Sequence, residues 1–170
     1  DLSDHRVNGV LVSNLHHYQT NKTQSELVEE TLANPINSLP LSELAKGKKK
    51  VVLIASDHTR PVPSKVIVPP MLREIRKGNP DAAITILIAT GCHRSMSHGE
   101  IVDKFGADIA DREHIVVHDC DQSPLVKIGT LPSGGECILN TLAVEADLLV
   151  AEGFIEPHFF AGFSGGRKSV

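Results

Sequence analysis

Four short apolar, β-branched runs constrain this chain most: residues 51–55, 84–89, 115–117 and 148–151, rich in Val, Ile and Leu, with Thr85 the one polar residue among them. A strand with one wet face alternates apolar and polar residues. A run without that alternation therefore predicts a strand covered on both faces, as in a mostly parallel sheet. A weaker strand candidate is Val7-Asn8-Gly9-Val10-Leu11-Val12. Helical patterns lie between the runs. Residues 24–34 place Leu27, Val28, Thr31 and Leu32 on one stripe, and Asn34-Pro35 ends it. Residues 64–77 carry Ile67, Met71, Leu72 and Ile75 at helical spacing, and Pro69-Pro70 inside them predicts a kink or a helix that begins there. Residues 97–110 carry Ile101, Val102, Phe105 and Ile109, opened by the capping-box pair Ser97 and Glu100. A short helix is expected over 140–146, with Asn140 as its cap. Strands alternating with helices imply an α/β fold, an open doubly wound (Rossmann-like), mostly parallel sheet with flanking helices.

At 170 residues one domain is expected. The longest apolar stretch, 82–89, is strand-sized and far short of the roughly 18 residues that span a bilayer, so no membrane role is expected. Seventeen basic against 21 acidic residues give a net charge of −4, which argues against nucleic acid as a partner. With no Trp, one Tyr and five Phe, base-stacking platforms are not expected either. Cys92, Cys120 and Cys137 are odd in number and form no CxxC pair, which predicts no disulfide framework and fits a reducing, cytoplasmic setting. The start, Asp1-Leu2-Ser3, and the end, Arg167-Lys168-Ser169-Val170, read as cuts through a longer protein.

Ligands of open α/β sheets bind beyond the carboxyl ends of the strands. The residues there are rich in ionisable groups. Ser56-Asp57-His58-Thr59-Arg60-Pro61 follows the first run and Thr90-Gly91-Cys92-His93-Arg94 the second. His118-Asp119-Cys120-Asp121 follows the third, and Glu152-Gly153-Phe154-Ile155-Glu156-Pro157-His158 the fourth. His93 and His158 are candidate proton-transfer groups, since imidazole titrates near neutral pH. Arg60 suits a carboxylate or phosphate, or pairs with Asp57. His114, His118, Cys120 and the flanking aspartates suggest a metal cluster, but their spacing matches no standard site. The tail Gly162-Phe163-Ser164-Gly165-Gly166-Arg167-Lys168 comes near a P-loop, yet Arg167 stands where that motif needs glycine. What remains is a glycine-rich loop presenting Lys168, an anion partner or a nucleophile.

The stretches at 56–61, 90–94 and 156–168 together resemble the nickel-dependent lactate racemase family, in that family's order, over about residues 7–170. The resemblance implies that residues 1–170 are the N-terminal α/β domain of a longer two-domain protein whose C-terminal domain is absent from this chain. It implies a racemase that interconverts stereoisomers of a 2-hydroxy acid, lactate first. The implied cofactor is a nickel-pincer pyridinium-3,5-bisthiocarboxylic acid mononucleotide tethered at Lys168 through a thioamide. Asp57, His58, Thr59 and Arg60 would contact the cofactor, with Arg60 also at the substrate. His93 and His158 would be the two acid/base histidines, serving opposite faces as the α-hydrogen leaves and returns as hydride. The nickel-ligating histidine is expected downstream of Val170, so no metal ligand is expected within the chain, and the chain alone should be inactive. The implied partners are a small 2-hydroxy acid, the missing domain and a second copy in a homodimer. Three alternatives stand beside this reading: a racemase of another 2-hydroxy acid, a non-catalytic nucleotide- or metal-binding module, and a metal-dependent hydrolase built on His118, Asp119 and Asp121.

Overall fold

The computed structural model describes residues 8–10, 12 and 14–165. Its centre is a four-stranded, all-parallel sheet in the order β3-β2-β1-β6. The strands are β1 (Lys50–Ser56), β2 (Ala83–Ala89), β3 (His114–Val117) and β6 (Leu148–Ala151), which are the four predicted runs. Register is continuous, with Leu53 opposite Ile86 on one side and Val150 on the other. The chain builds outward from β1 to β3, then returns to lay β6 on the other side of β1. The direction of winding thus reverses at β1, where such sheets open a crevice at their carboxyl edge.

Both faces are covered, as such apolar strands require. On one face Val51, Leu53, Ala55, Ile84, Ile86 and Ile88 pack against α3 (Ser64–Gly78), α4 (His98–Phe105) and α5 (Ala107–Arg112). The helices α1 (Gln24–Ala33) and α2 (Leu41–Leu44) extend that layer through Leu32, Leu41 and Ala45. On the other face Val52, Ile54 and Leu87 meet Leu142, Ala143 and Ala146, around the short α6 (Thr141–Val144). The caps of α1 and α4 are reciprocal: Thr23 with Glu26, and Ser97 with Glu100. Asn140 caps α6 through the Leu142 amide. No helix among the described residues is long and apolar enough to cross a membrane.

Three local expectations need correction. Of the two options for Pro69-Pro70, a kink or a helix start, the start is overturned: the helix begins at Ser64, as the pattern over 64–77 has it, and runs through both prolines. The prolines deprive the Lys65 and Val66 carbonyls of their helical donors, at about 3 kcal/mol for an interior proline. Burying Val68, Met71, Leu72 and Ile75 on the sheet returns about 1.5–3 kcal/mol for each side chain and outweighs that cost. The single helix expected over 97–110 is two, broken at Gly106, whose φ of 89° lies outside the helical region. Phe105 and Ile109 stay buried on either side of the break. The weak strand candidate at 7–12 forms no strand at residues 8–10 or 12, and residues 7 and 11 lie outside the described residues.

The sequence reading also passed over two hairpins. β4 (Leu125–Thr130) pairs antiparallel with β5 (Glu136–Asn140), and β7 (Pro157–His158) with β8 (Gly162–Phe163). The turn residues Ser133-Gly134-Gly135, with Gly134 at φ 86°, were the available signal for the first.

Gly78 marks the tightest approach in the helical layer. A Cβ there would lie 2.1 Å from the Ser42 carbonyl oxygen and 2.9 Å from the Ala45 Cβ. Gly78→Ala is therefore expected to lower stability by roughly 1–3 kcal/mol, as overpacking does. Thermal unfolding would check this, and an unchanged melting temperature would contradict the close packing of α2 on α3.

Candidate functional site at the carboxyl edge of the sheet

β1 delivers Asp57 to the edge of the sheet and buries it, leaving 2% of it exposed. Its Oδ1 accepts from the Thr59 amide at 3.0 Å and the Thr59 hydroxyl at 2.6 Å. Its Oδ2 lies 2.6 Å from His93 Nδ1. Burial pushes the Asp57 carboxyl up, but the bonds from Thr59 and His93 prevail and hold it below its ordinary value. The group is thus a carboxylate at neutral pH, and a carboxylate only accepts. His93 must then carry its proton on Nδ1, which leaves Nε2 as the basic nitrogen. The His93 side chain is 47% exposed, so the pair has a buried anchor and an accessible working end.

The turn after β2 sets His93. Gly91 adopts φ 57°, a left-handed conformation that favours glycine, and the His93 amide donates to the Thr90 carbonyl at 3.0 Å. The buried Thr90 hydroxyl in turn donates to the His118 carbonyl.

These groups line a cleft of about 730 Å³, a size suited to a small ligand or mononucleotide. One part of its wall is apolar, with Ile54, Leu87, Ala89 and Ala143. Another carries Asp57, Arg60, His93 and His118. Ser164 and Gly165 reach the cleft from beyond β8.

The predicted site residues divide. Asp57, Arg60 and His93 come together at the cleft. Among the described residues Asp57 pairs with His93 and not with Arg60. Thr59 spends its hydroxyl on Asp57. His58 turns to a second cavity of about 500 Å³ shared with Arg60, Ser64, Glu100 and Lys104. There its Nε2 lies 3.9 Å from Glu100, and its buried Nδ1 has no partner among the described residues. His158 is half-buried on β7, outside the cleft lining, stacked on Phe159 with Phe160 edge-on. Lys168 lies outside the described residues. The suggested metal cluster does not assemble. His114 faces Thr85, and His118 Nδ1 meets the Asn140 amide. Asp119, Cys120 and Asp121 do lie together, but all three are exposed, and Asp119 Oδ1 accepts from the Asp121 and Gln122 amides.

Sequence reasoning placed Glu152 at the end of the fourth run but gave it no role. It follows β6, is 4% exposed, and accepts from the Ser64 hydroxyl at 2.9 Å and the Ser56 amide at 3.3 Å. A lone acid closing an apolar run was the available signal. Burial pushes its carboxyl above the ordinary value near 4.5, against the opposing pull of Ser64, Lys104 and Ser56. A raised acid favours folding fully below its unfolded value, and that contribution is lost as pH rises through the folded value. Glu152→Gln, which keeps an acceptor for both partners, is therefore expected to gain stability relative to the native chain as pH rises above about 4.5. Melting temperatures across that range check it, and a pH-independent difference would contradict it.

Comparison with known proteins follows the same lines. The family described as the lactate racemase N-terminal domain matches residues 1–170. The lactate racemase of Lactiplantibacillus plantarum is 56% identical over 170 residues, which is 99% of this chain and 40% of that protein. The lactate racemase of Thermoanaerobacterium thermosaccharolyticum is also 56% identical, over the whole chain and 40% of its own length. The structure of the lactate racemase apoprotein from the latter organism superposes with a TM-score of 0.85 at 54% identity, covering 99% of this chain and 39% of that one. A Thermotoga maritima protein superposes at 0.66 with 25% identity, over 84% of this chain and 36% of its own. The chain thus spans about two fifths of the relatives it matches, and it belongs to the lactate racemase N-terminal domain family.

Proposed function

We propose that this chain is the N-terminal domain of a longer, two-domain cytoplasmic racemase of a 2-hydroxy acid, with lactate as the first candidate. The Asp57–His93 pair at the cleft carries the reading. Racemisation needs a base for the substrate hydroxyl proton. His93 Nε2 is that base, and Asp57 holds the ring so that the imidazolium formed on proton uptake is stabilised. Arg60, at the same cleft, receives the substrate carboxylate or a cofactor anion. His158 acts as the second base for the opposite face.

The cleft residues fit a nickel-pincer pyridinium mononucleotide. The apolar wall of Ile54, Leu87, Ala89 and Ala143 suits a flat ring, and Arg60 suits an anionic arm or phosphate. Lys168 follows the cleft residue Gly165 by three positions in the sequence. That nearness in sequence to a cleft residue supports a covalent tether there. When bound, the cofactor supplies a reversible acceptor for the substrate's α-hydrogen as hydride. The side chains position substrate and move protons.

In the full-length protein loaded with cofactor, His93→Ala is expected to lower turnover by about 10²–10⁴-fold while the cofactor stays attached. Asp57→Asn should also slow turnover with little change in KM, because it disturbs the orientation of the base and leaves substrate binding alone. Lys168→Ala should remove the covalent adduct from the intact mass. Native-like turnover in His93→Ala would refute the base assignment, and an unchanged adduct mass in Lys168→Ala would refute the tether.

A further inference from the structure

Cys92 and Cys120 lie on the turns that follow two neighbouring parallel strands. β2 and β3 stay in register to Ile88 and Val117. Beyond that point the two turns are fastened together: the His118 amide donates to the Ile88 carbonyl at 3.0 Å, and the Thr90 hydroxyl donates to the His118 carbonyl. Both cysteines are free and exposed, and both line the cleft; burial first, then Asp121 and the Cys92 thiol, push the Cys120 thiol up. Neighbouring strands lie about 4.8 Å apart where they pair, so the two turns leave the sheet side by side, and a disulfide needs about 4.4–6.8 Å between its Cα atoms. Cys137 sits apart on β5 and does not line the cleft. The racemase reading uses none of these thiols.

We propose that Cys92 and Cys120 form a reversibly oxidisable dithiol at the mouth of the cleft, a modification site whose closure restrains His93. The oxidant is a low-molecular-weight disulfide. One cysteine thiolate attacks it, forms a mixed disulfide and expels the first small thiol. The second cysteine then attacks the mixed disulfide, closes the Cys92–Cys120 bond and expels the second small thiol. Two electrons leave the cysteine pair and reduce the oxidant, and the two cysteine protons end on the two small thiols. Cys92 directly precedes His93 in a turn that bends at Gly91. A bond from Cys92 to the turn after β3 removes that turn's freedom and narrows access to the base. The loss of turnover rests on the racemase reading, whereas the cross-link does not.

The test treats the reduced full-length protein, loaded with cofactor, with oxidised glutathione, alkylates the remaining thiols, and reads intact mass, a peptide map and turnover. The expected product has lost two hydrogens, joins the Cys92 and Cys120 peptides, turns over at least tenfold more slowly, and recovers with dithiothreitol. Cys120→Ser should leave a glutathione adduct on Cys92, and Cys137→Ser should still form the link. Separate glutathione adducts on both cysteines, complete alkylation of both, or a link to Cys137 would overturn the pair. A clean link with unchanged turnover would overturn the restraint on His93. A reduced protein that forms the link but never racemises would sink the racemase reading and leave the dithiol standing.

Discussion

Asp57 is an ionised carboxylate taken almost wholly out of water at the end of the central strand. An unpaired ion in such a place costs several kcal/mol, so its partners are obligatory. Thr59 supplies two donors from the same turn and His93 a third from the neighbouring strand end. The parallel sheet makes this possible, because it brings the ends of β1 and β2 to one edge in register. The arrangement of the cleft then follows. The buried acid fixes the ring, the half-exposed ring keeps its second nitrogen for proton transfer, and the apolar strand ends Ile54 and Leu87 line the same cleft.

Glu152 is the instructive contrast. It closes β6 next to β1 as Asp57 closes β1, and it is about as buried. Yet burial wins at Glu152 and hydrogen bonding wins at Asp57. At Asp57 the Thr59 amide and hydroxyl and the His93 ring all donate at 3.0 Å or less. Glu152 has the Ser64 hydroxyl at 2.9 Å and the Ser56 donors at 3.3 Å. Two carboxylates on one sheet edge are thus tuned in opposite directions by their donors.

Much of this was legible in the sequence, for identifiable reasons. Unbroken runs such as Val51-Val52-Leu53-Ile54-Ala55 report burial on both faces, so the parallel sheet and the edge bearing Asp57, Arg60 and His93 could be read directly. Where tertiary packing overrides local preference, the reading failed. The α3 helix tolerates Pro69-Pro70 because its apolar stripe is buried against the sheet, and no local rule weighs that burial. The break at Gly106 depends on one glycine using a backbone region that a helical pattern ignores. Side-chain direction was also hidden. Residues 57–60 are consecutive, yet Asp57 and Arg60 line the cleft while His58 points into a different cavity. His158 follows its strand by seven residues and belongs to a hairpin of its own. Glu152 carries no signature beyond its position.

The central claim is that Asp57 holds the proton of His93 on Nδ1 and leaves Nε2 free to take a proton. Nitrogen NMR of the His93 ring near neutral pH tests this directly, because protonated and bare ring nitrogens resonate far apart. In the native protein Nδ1 should be protonated and Nε2 bare, with that preference lost in Asp57→Asn. A ring protonated on Nε2, or one averaging between both tautomers with Asp57 intact, would contradict it.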